Sequence, residues 1–335
     1  MSDWNKNTSG TAQSDNLIEV KDLVVRFRQK SSKLFELKPA YFSAVDHVNF
    51  QVKRGETYGL VGESGSGKST VGKAILRYHN PDSGNIFFDG TDITHLSEKE
   101  LLPHRKKMQS VFQDPYSSLD PSMTVSEIIC EPMEIHQLYT KKERKERAAE
   151  LIETVGLTRK DLLKYPHEFS GGQRQRISIA RALSIHPEFI LCDEPISALD
   201  VSLQAQIVNM LEELQDRLGL TYLFISHQLQ VVQKICDHLG VMYLGQLLET
   251  GSSEAIYGNP QHPYTRMLLS SMLEPDPDVH SLDAIIPDTG VQTYSGVGCK
   301  FANRCPYAKE RCRMEIPSYY ETEEEHQVAC FLYEK

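Results

Sequence analysis

Between an apolar run, Tyr58 to Val61, and a stretch of helical character, Ser69 to Tyr78, the chain carries Gly62, Glu63, Ser64, Gly65, Ser66, Gly67, Lys68, Ser69 and Thr70. Two glycines, a lysine and a hydroxyl at this spacing, set between a strand and a helix, form a phosphate loop of the pattern GxxxxGKS/T. Glycines let the backbone curl until successive N–H groups and the positive end of the helix dipole converge on one point, which is where phosphate binds. Lys68 then reaches the terminal phosphates of a nucleotide and the Ser69 hydroxyl ligates Mg²⁺. The core is therefore expected to be α/β and to open with this unit.

Apolar residues come near every second position in Leu17 to Phe27 and in Ala44 to Val52, as in half-buried antiparallel strands. Gln29 to Phe42 between them reads as a loop or an irregular hairpin. The stretch from Ser97 to Lys164 is dominated by helical signals, including Lys141 to Gly156 with Ala148, Leu151, Ile152 and Val155 on one face, and reads as a helical insertion. Continuous apolar runs return at Phe189 to Cys192 and Thr221 to Ile225, each followed by an amphipathic segment, Leu203 to Leu218 and Leu229 to Cys236. That alternation predicts a parallel sheet covered on both faces. Glu274, Pro275, Asp276, Pro277 and Asp278 have the composition of a linker.

The strand at Phe189 to Cys192 ends in Asp193 and Glu194, so two carboxylates are expected at the carboxyl edge of the sheet, where ligands of open α/β sheets bind. Asp193 is placed to hold Mg²⁺, and Glu194 to orient and deprotonate an attacking water.

A chain of 335 residues with 40% hydrophobic and 24% charged residues can bury one large core plus an appendage. No run of about 18 uncharged apolar residues appears, and Met1 to Gly10 is polar, unlike a secretory signal. The expectation is a cytoplasmic chain. A net charge of -10 argues against nucleic acid as a partner and against a polybasic membrane anchor. Membrane attachment should run through protein partners.

The segment Phe169, Ser170, Gly171, Gly172, Gln173 resembles the signature of the ATP-binding cassette (ABC) family. In that family the serine and glycines open a helix whose N–H groups bind the γ-phosphate held by the opposite subunit. Other positions resemble the family in turn. Gln113, after Val111 and Phe112, matches the glutamine linking Mg²⁺ to the transmembrane partner, and Asp200, in Ser197 to Asp200, matches the loop across the dimer. His227, after Phe224 to Ser226, matches the switch histidine that senses the γ-phosphate, and Phe27 matches an aromatic that stacks on adenine. Departures are Gln228, where Asp often follows the histidine, and Phe169, where Leu is usual.

HEFSGGQRQR (167–176), SALDVSLQAQ (197–206), VMYLG (241–245) and HPYT (262–265) look most like the ATPase subunits of oligopeptide and dipeptide ABC importers, and the likeness runs from about Ile18 to the end. The resemblance implies an ABC cassette over 17–272, with a mixed sheet core, an antiparallel β subdomain and a helical subdomain about 97–187, then a small cysteine-rich extension over 273–335. It also implies the partners: a second ABC ATPase subunit, identical or paralogous, two transmembrane permease subunits and indirectly an extracellular peptide-binding protein. The place would be the cytoplasmic face of the membrane. ATP binding would close two ATPase subunits head to tail and hydrolysis would reopen them.

Seven cysteines are too few for a disulfide scaffold in so long a chain. Four of them, Cys299, Cys305, Cys312 and Cys330, follow a C-x5-C-x6-C-x17-C spacing in a segment resembling the tail of those importer ATPases. Four thiolates fit an iron-sulfur cluster or tetrahedral zinc, and the resemblance favours a 4Fe-4S cluster. Cys130, Cys192 and Cys236 read as ordinary core or surface residues. Two rivals share the nucleotide motifs: a soluble ABC ATPase acting on ribosomes or DNA, and a regulatory protein that binds ATP and a metal cluster without turnover.

Overall fold

The computed structural model of the chain describes residues 15–28, 41–114, 116, 118–270, 296–323 and 325–334. The polar N-terminus, most of the predicted 29–42 loop and the Glu274 to Asp278 linker lie outside the described residues.

The chain begins with β1 (Asn16–Arg28), β2 (Tyr41–Lys53), β3 (Thr57–Val61), α1 (Lys68–Ile75), β4 (Ser83–Phe88), β5 (Thr91–Asp92), α2 (Glu98–Lys107) and β6 (Met108–Val111). Helices α3 (Val125–Ile135), α4 (Lys141–Thr154) and α5 (Gly171–Leu183) follow, and then β7 (Phe189–Asp193), α6 (Val201–Leu218), β8 (Thr221–Ile225), α7 (Leu229–Ile235) and β9 (His238–Tyr243). The remainder is β10 (Gln246–Ser252), α8 (Ser253–Gly258), α9 (Pro263–Ser270), α10 (Glu310–Met314), β11 (Tyr320–Glu323) and β12 (His326–Val328).

Strands β2-β1-β4-β5 form an antiparallel sheet, while β11-β12-β10-β9-β3-β8-β7-β6 form a mixed one whose β9, β3, β8, β7 and β6 run parallel. The alternation in β2 is real. Val45, Val48, Phe50 and Val52 are buried while His47, Asn49 and Gln51 are exposed, the mark of a sheet with one dry face. Strands β7 and β8 are buried on both faces. Ile190, Cys192, Tyr222 and Phe224 point into a core shared with the helices, whereas Phe189, Leu191, Leu223 and Ile225 point into a core shared with α1 and the antiparallel sheet. Period-two alternation thus divides one strand between two cores. Truncating a residue such as Leu191 should cost about 2–5 kcal/mol.

Helices α2, α3 and α4 each start on a reciprocal cap, Ser97 with Glu100, Thr124 with Glu127 and Thr140 with Glu143, which satisfies amides left open in a first turn. The apolar face expected on α4 is buried at Ala148, Leu151 and Ile152, with Val155 just beyond it. Strands β4, β5 and β9 to β12 were not anticipated, and one further strand contradicts the sequence reading. Met108 to Val111 is a strand in the main sheet, pairing in parallel with β7, inside the stretch read from sequence as helical.

Candidate functional site

The phosphate loop leaves β3 through Gly62 at φ 145° and enters α1 through Gly67 at φ 104°, both in territory closed to most side chains. Space is as restrictive as conformation there. A Cβ on Gly62 would lie 2.1 Å from the Met242 carbonyl oxygen, and one on Gly67 2.1 Å from that of Ala44. Ser64 and Gly65 form the exposed tip, Ser66 is buried, and Thr70 sits half-buried in the first turn of α1. Lys68 is buried and folds over the loop, its Nζ donating to the carbonyls of Gly62 at 2.8 Å and Glu63 at 2.9 Å. Burial pushes this amine below its usual pKa, and the carboxylates of Glu194, Asp193 and Glu63 pull it back up. A buried cation whose hydrogen-bond partners among the described residues are two carbonyls and a hydroxyl is suited to an arriving anion.

Strand order brings the other groups to the same edge. β8 lies between β3 and β7, so the carboxyl ends of all three strands are neighbours. Ser69 Oγ donates to Asp193 Oδ1 at 2.7 Å, and burial holds the Asp193 carboxyl above its ordinary range. Glu194 has a left-handed backbone, φ 50°, stabilised by its N–H donating to the Ile225 carbonyl at 2.9 Å. Its carboxylate stands 3.4 Å from His227 Nδ1. Gln113 follows β6, the next strand along, and its side chain is exposed. A hydroxyl–carboxylate pair fit for a hard cation, a buried amine and a carboxylate–imidazole pair thus converge.

Ser170, Gly171, Gly172, Gln173 and Asp200 form a second cluster. Ser170 caps α5: its N–H donates to Gln173 Oε1 at 3.0 Å and its Oγ accepts from the Gln173 N–H at 3.4 Å. A Cβ on Gly172 would lie 3.2 Å from Leu203 and one on Gly171 3.4 Å from Leu199, so the turn holding exposed Asp200 packs on this helix start. Among the described residues no hydrogen bond joins this cluster to residues 62–70. Phe27, at the end of β1, is half-buried, with ring centroids 5.9 Å from Phe42 and 5.4 Å from His79.

The four late cysteines share one cavity, lined also by His262, Phe301 and Phe331. Burial pushes the Cys299 and Cys305 thiols up to about 11, and nearby thiols add to the effect. Among the described residues no three His, Cys, Asp or Glu side chains converge closely enough for a single metal ion. Of the core and surface positions left open for Cys130, Cys192 and Cys236, the structure shows the core: all three are buried.

Sequence reading missed the contacts that the C-terminal segments make with the phosphate loop. The Glu63 N–H donates to Tyr264 Oη at 2.9 Å, and the Glu63 carboxylate receives both Arg304 terminal nitrogens at 2.9 Å. HPYT marked Tyr264 and the cysteine segment from Gly298 to Cys312 contained Arg304, each without its partner.

Comparison with known proteins agrees with this geometry. Residues 45–197 match the ABC transporter family, and residues 248–312 match the oligopeptide/dipeptide transporter C-terminal region. The chain is 47% identical to the oligopeptide transport ATP-binding protein AppF of Bacillus subtilis over 330 residues, covering 96% of this chain and 99% of that one. It is 52% identical to the oligopeptide transport ATP-binding protein OppF of the same organism over 267 residues, covering 79% and 85%. Among solved structures, a dimeric ATP-binding cassette in a post-hydrolysis state bound to ADP and phosphate superposes with TM-score 0.62 at 28% identity, over 70% of this chain and 98% of that one. The cbiO1 subunit of a Clostridium perfringens ABC transporter gives TM-score 0.63 at 27% identity, over 73% and 92%.

Proposed function

The chain belongs to the ABC transporter family of ATP-binding proteins, and we propose that it is the ATP-hydrolysing subunit of an importer for oligopeptides or dipeptides. The observation that carries this is the meeting of Lys68, Ser69, Asp193, Glu194 and His227 at one sheet edge.

In this function residues 62–70 cradle the phosphates of ATP and Lys68 exchanges its carbonyl partners for phosphate oxygens. Ser69, Asp193 and Gln113 would hold Mg²⁺, which when bound neutralises charge on the transferred phosphoryl group. Glu194 accepts the proton of the attacking water, and His227, within reach of that carboxylate, donates to the γ-phosphate. Phe27 stacks on the adenine. Ser170, Gly171, Gly172, Gln173 and Asp200 serve the nucleotide of a facing ATPase subunit, a second copy or a paralogue. Their position in a cluster of their own supports this, because a capped helix start with free amides is an anion site. Closure of two such chains completes two sites, and hydrolysis reopens them.

The cassette occupies 17–272 and the extension 273–335. Among the described residues no helix is long and apolar enough to cross a membrane, so attachment to its cytoplasmic face would run through two permease subunits, which take peptide from an extracellular binding protein. Cys299, Cys305, Cys312 and Cys330 would hold a 4Fe-4S cluster. The four thiols line one cavity, which supports a shared ligand, and a cluster there would tie together distant points of the extension.

Capture of the tagged chain from gently solubilised membranes, with mass spectrometry of what accompanies it, tests the function. Two multi-spanning proteins and a second cassette protein are expected. Ribosomal or DNA-repair partners in their place would favour the soluble ATPase.

A further inference from the structure

Glu63 brings a carboxylate into a loop built to receive several phosphate charges. It lies close enough to Lys68 to act on it electrostatically, and its backbone carbonyl accepts from the Lys68 ammonium at 2.9 Å. An unneutralised carboxylate here would repel phosphate and compete with it for Lys68.

The chain neutralises it from 241 positions away. Arg304 places both terminal nitrogens on the two Glu63 oxygens at 2.9 Å, a forked pair that fixes direction as well as charge. The guanidinium is itself held, with its centre 5.7 Å from the ring centroids of both Tyr243 and Phe301. The Arg304 side chain is 11% exposed and that of Glu63 29%, so the guanidinium is the more sheltered member of the pair. Its neighbour Lys300 anchors the same turn to the other wall of the loop, donating to the Leu244 carbonyl at 2.6 Å and pairing with Asp46 at 2.8 Å. Asp46 in turn follows the Ala44 carbonyl against which Gly67 rests.

We propose that Arg304 is a positioning residue of the nucleotide site: from the C-terminal extension it neutralises Glu63 and turns its carboxylate away from incoming phosphate. The inference rests on the ATP function assigned above to residues 62–70. In consequence the extension is part of the nucleotide site, and whatever orders the turn between Cys299 and Cys305 also sets the affinity of the phosphate loop.

Equilibrium binding of Mg²⁺-ATP to the full chain, by calorimetry at low and at physiological salt, tests it with four proteins. Arg304→Met keeps the bulk of the side chain and removes its charge. It is expected to raise Kd roughly three- to tenfold, the scale of one ion pair, and more at low salt. Arg304→Lys keeps the charge and loses the fork, and should stay within about threefold of wild type. Arg304→Met combined with Glu63→Gln removes both charges and should recover most of the lost affinity. A purely structural Arg304 would instead leave the double variant as weak as the single, which overturns the proposal, as does an unchanged Kd in Arg304→Met. A wild-type chain that fails to bind ATP overturns the ATP function itself, a result distinct from normal binding that ignores Arg304.

Discussion

Ser69 and Asp193, 124 positions apart in sequence, share a 2.7 Å hydrogen bond at the carboxyl edge of the central sheet. Hydroxyl and carboxylate are the oxygen ligands that a hard divalent cation takes, and here they are already side by side. Ser69→Ala and Asp193→Asn should each lower Mg²⁺-dependent ATP hydrolysis on the order of 10²–10³-fold, since each removes a fixed contributor to charge stabilisation. Steady-state assays across a Mg²⁺ titration would read the loss, and thermal melts should show the fold retained.

Glu194 holds a left-handed backbone at the end of β7 with its carboxylate 3.4 Å from His227. Strain of this kind persists where the surroundings enforce it. Glu194→Gln should cut turnover by about 10²–10⁴-fold, the usual worth of a general base, while ATP still binds. Binding without hydrolysis should then hold facing subunits together, so sedimentation with ATP should show a complex in the variant that the hydrolysing wild type does not accumulate.

Local chemistry explains which parts were legible in sequence. Glycines at 62 and 67, the Asp193–Glu194 strand end and the alternation in β2 are dictated by neighbouring residues, so pattern and structure agree. Ser170 and Gln173 form a capping box as well as a family signature, and either property places a helix start at α5. Strand β6 escaped because four residues directly after a helix carry too little periodicity. Strands β11 and β12 and the Arg304–Glu63 contact were invisible for a different reason: their partners lie far along the chain, and no local spacing encodes such a meeting.

His262 gives the cassette a pH dependence of known sign. It is buried, and burial depresses its pKa from 6.5 to about 4. Its Nδ1 accepts the Tyr264 N–H at 3.0 Å, a bond that needs the neutral ring. The unfolded chain therefore takes up this proton first. The contribution to stability is complete above pH 6.5 and is lost as pH falls towards 4, with a full size of about 3 kcal/mol. Thermal melts at pH 7.5 and 5 should show a larger fall in Tm for wild type than for His262→Gln.

The buried pairing of Glu249 with His326 at 2.7 Å fastens β12 to the main sheet, while Glu249 also accepts the N–H groups of Gln261 and His262. His326→Ala leaves part of that carboxylate unsatisfied and should cost about 1–3 kcal/mol. Denaturant titration measures it, and proteolysis should show the extension loosening first.

For the cysteines, protein prepared without oxygen should carry iron and acid-labile sulfide in equal amounts, about four of each per chain, and Cys305→Ser should carry far less. Zinc without sulfide would replace the cluster by a single-ion site.

Peptide uptake by proteoliposomes rebuilt from the captured assembly, with ATP on the side of this subunit, bears most directly on its place as the motor of an importer. Wild-type assemblies should accumulate peptide in proportion to ATP hydrolysed, and assemblies carrying Glu194→Gln should accumulate none. Equal uptake in both, or hydrolysis that never moves peptide, would refute the importer function.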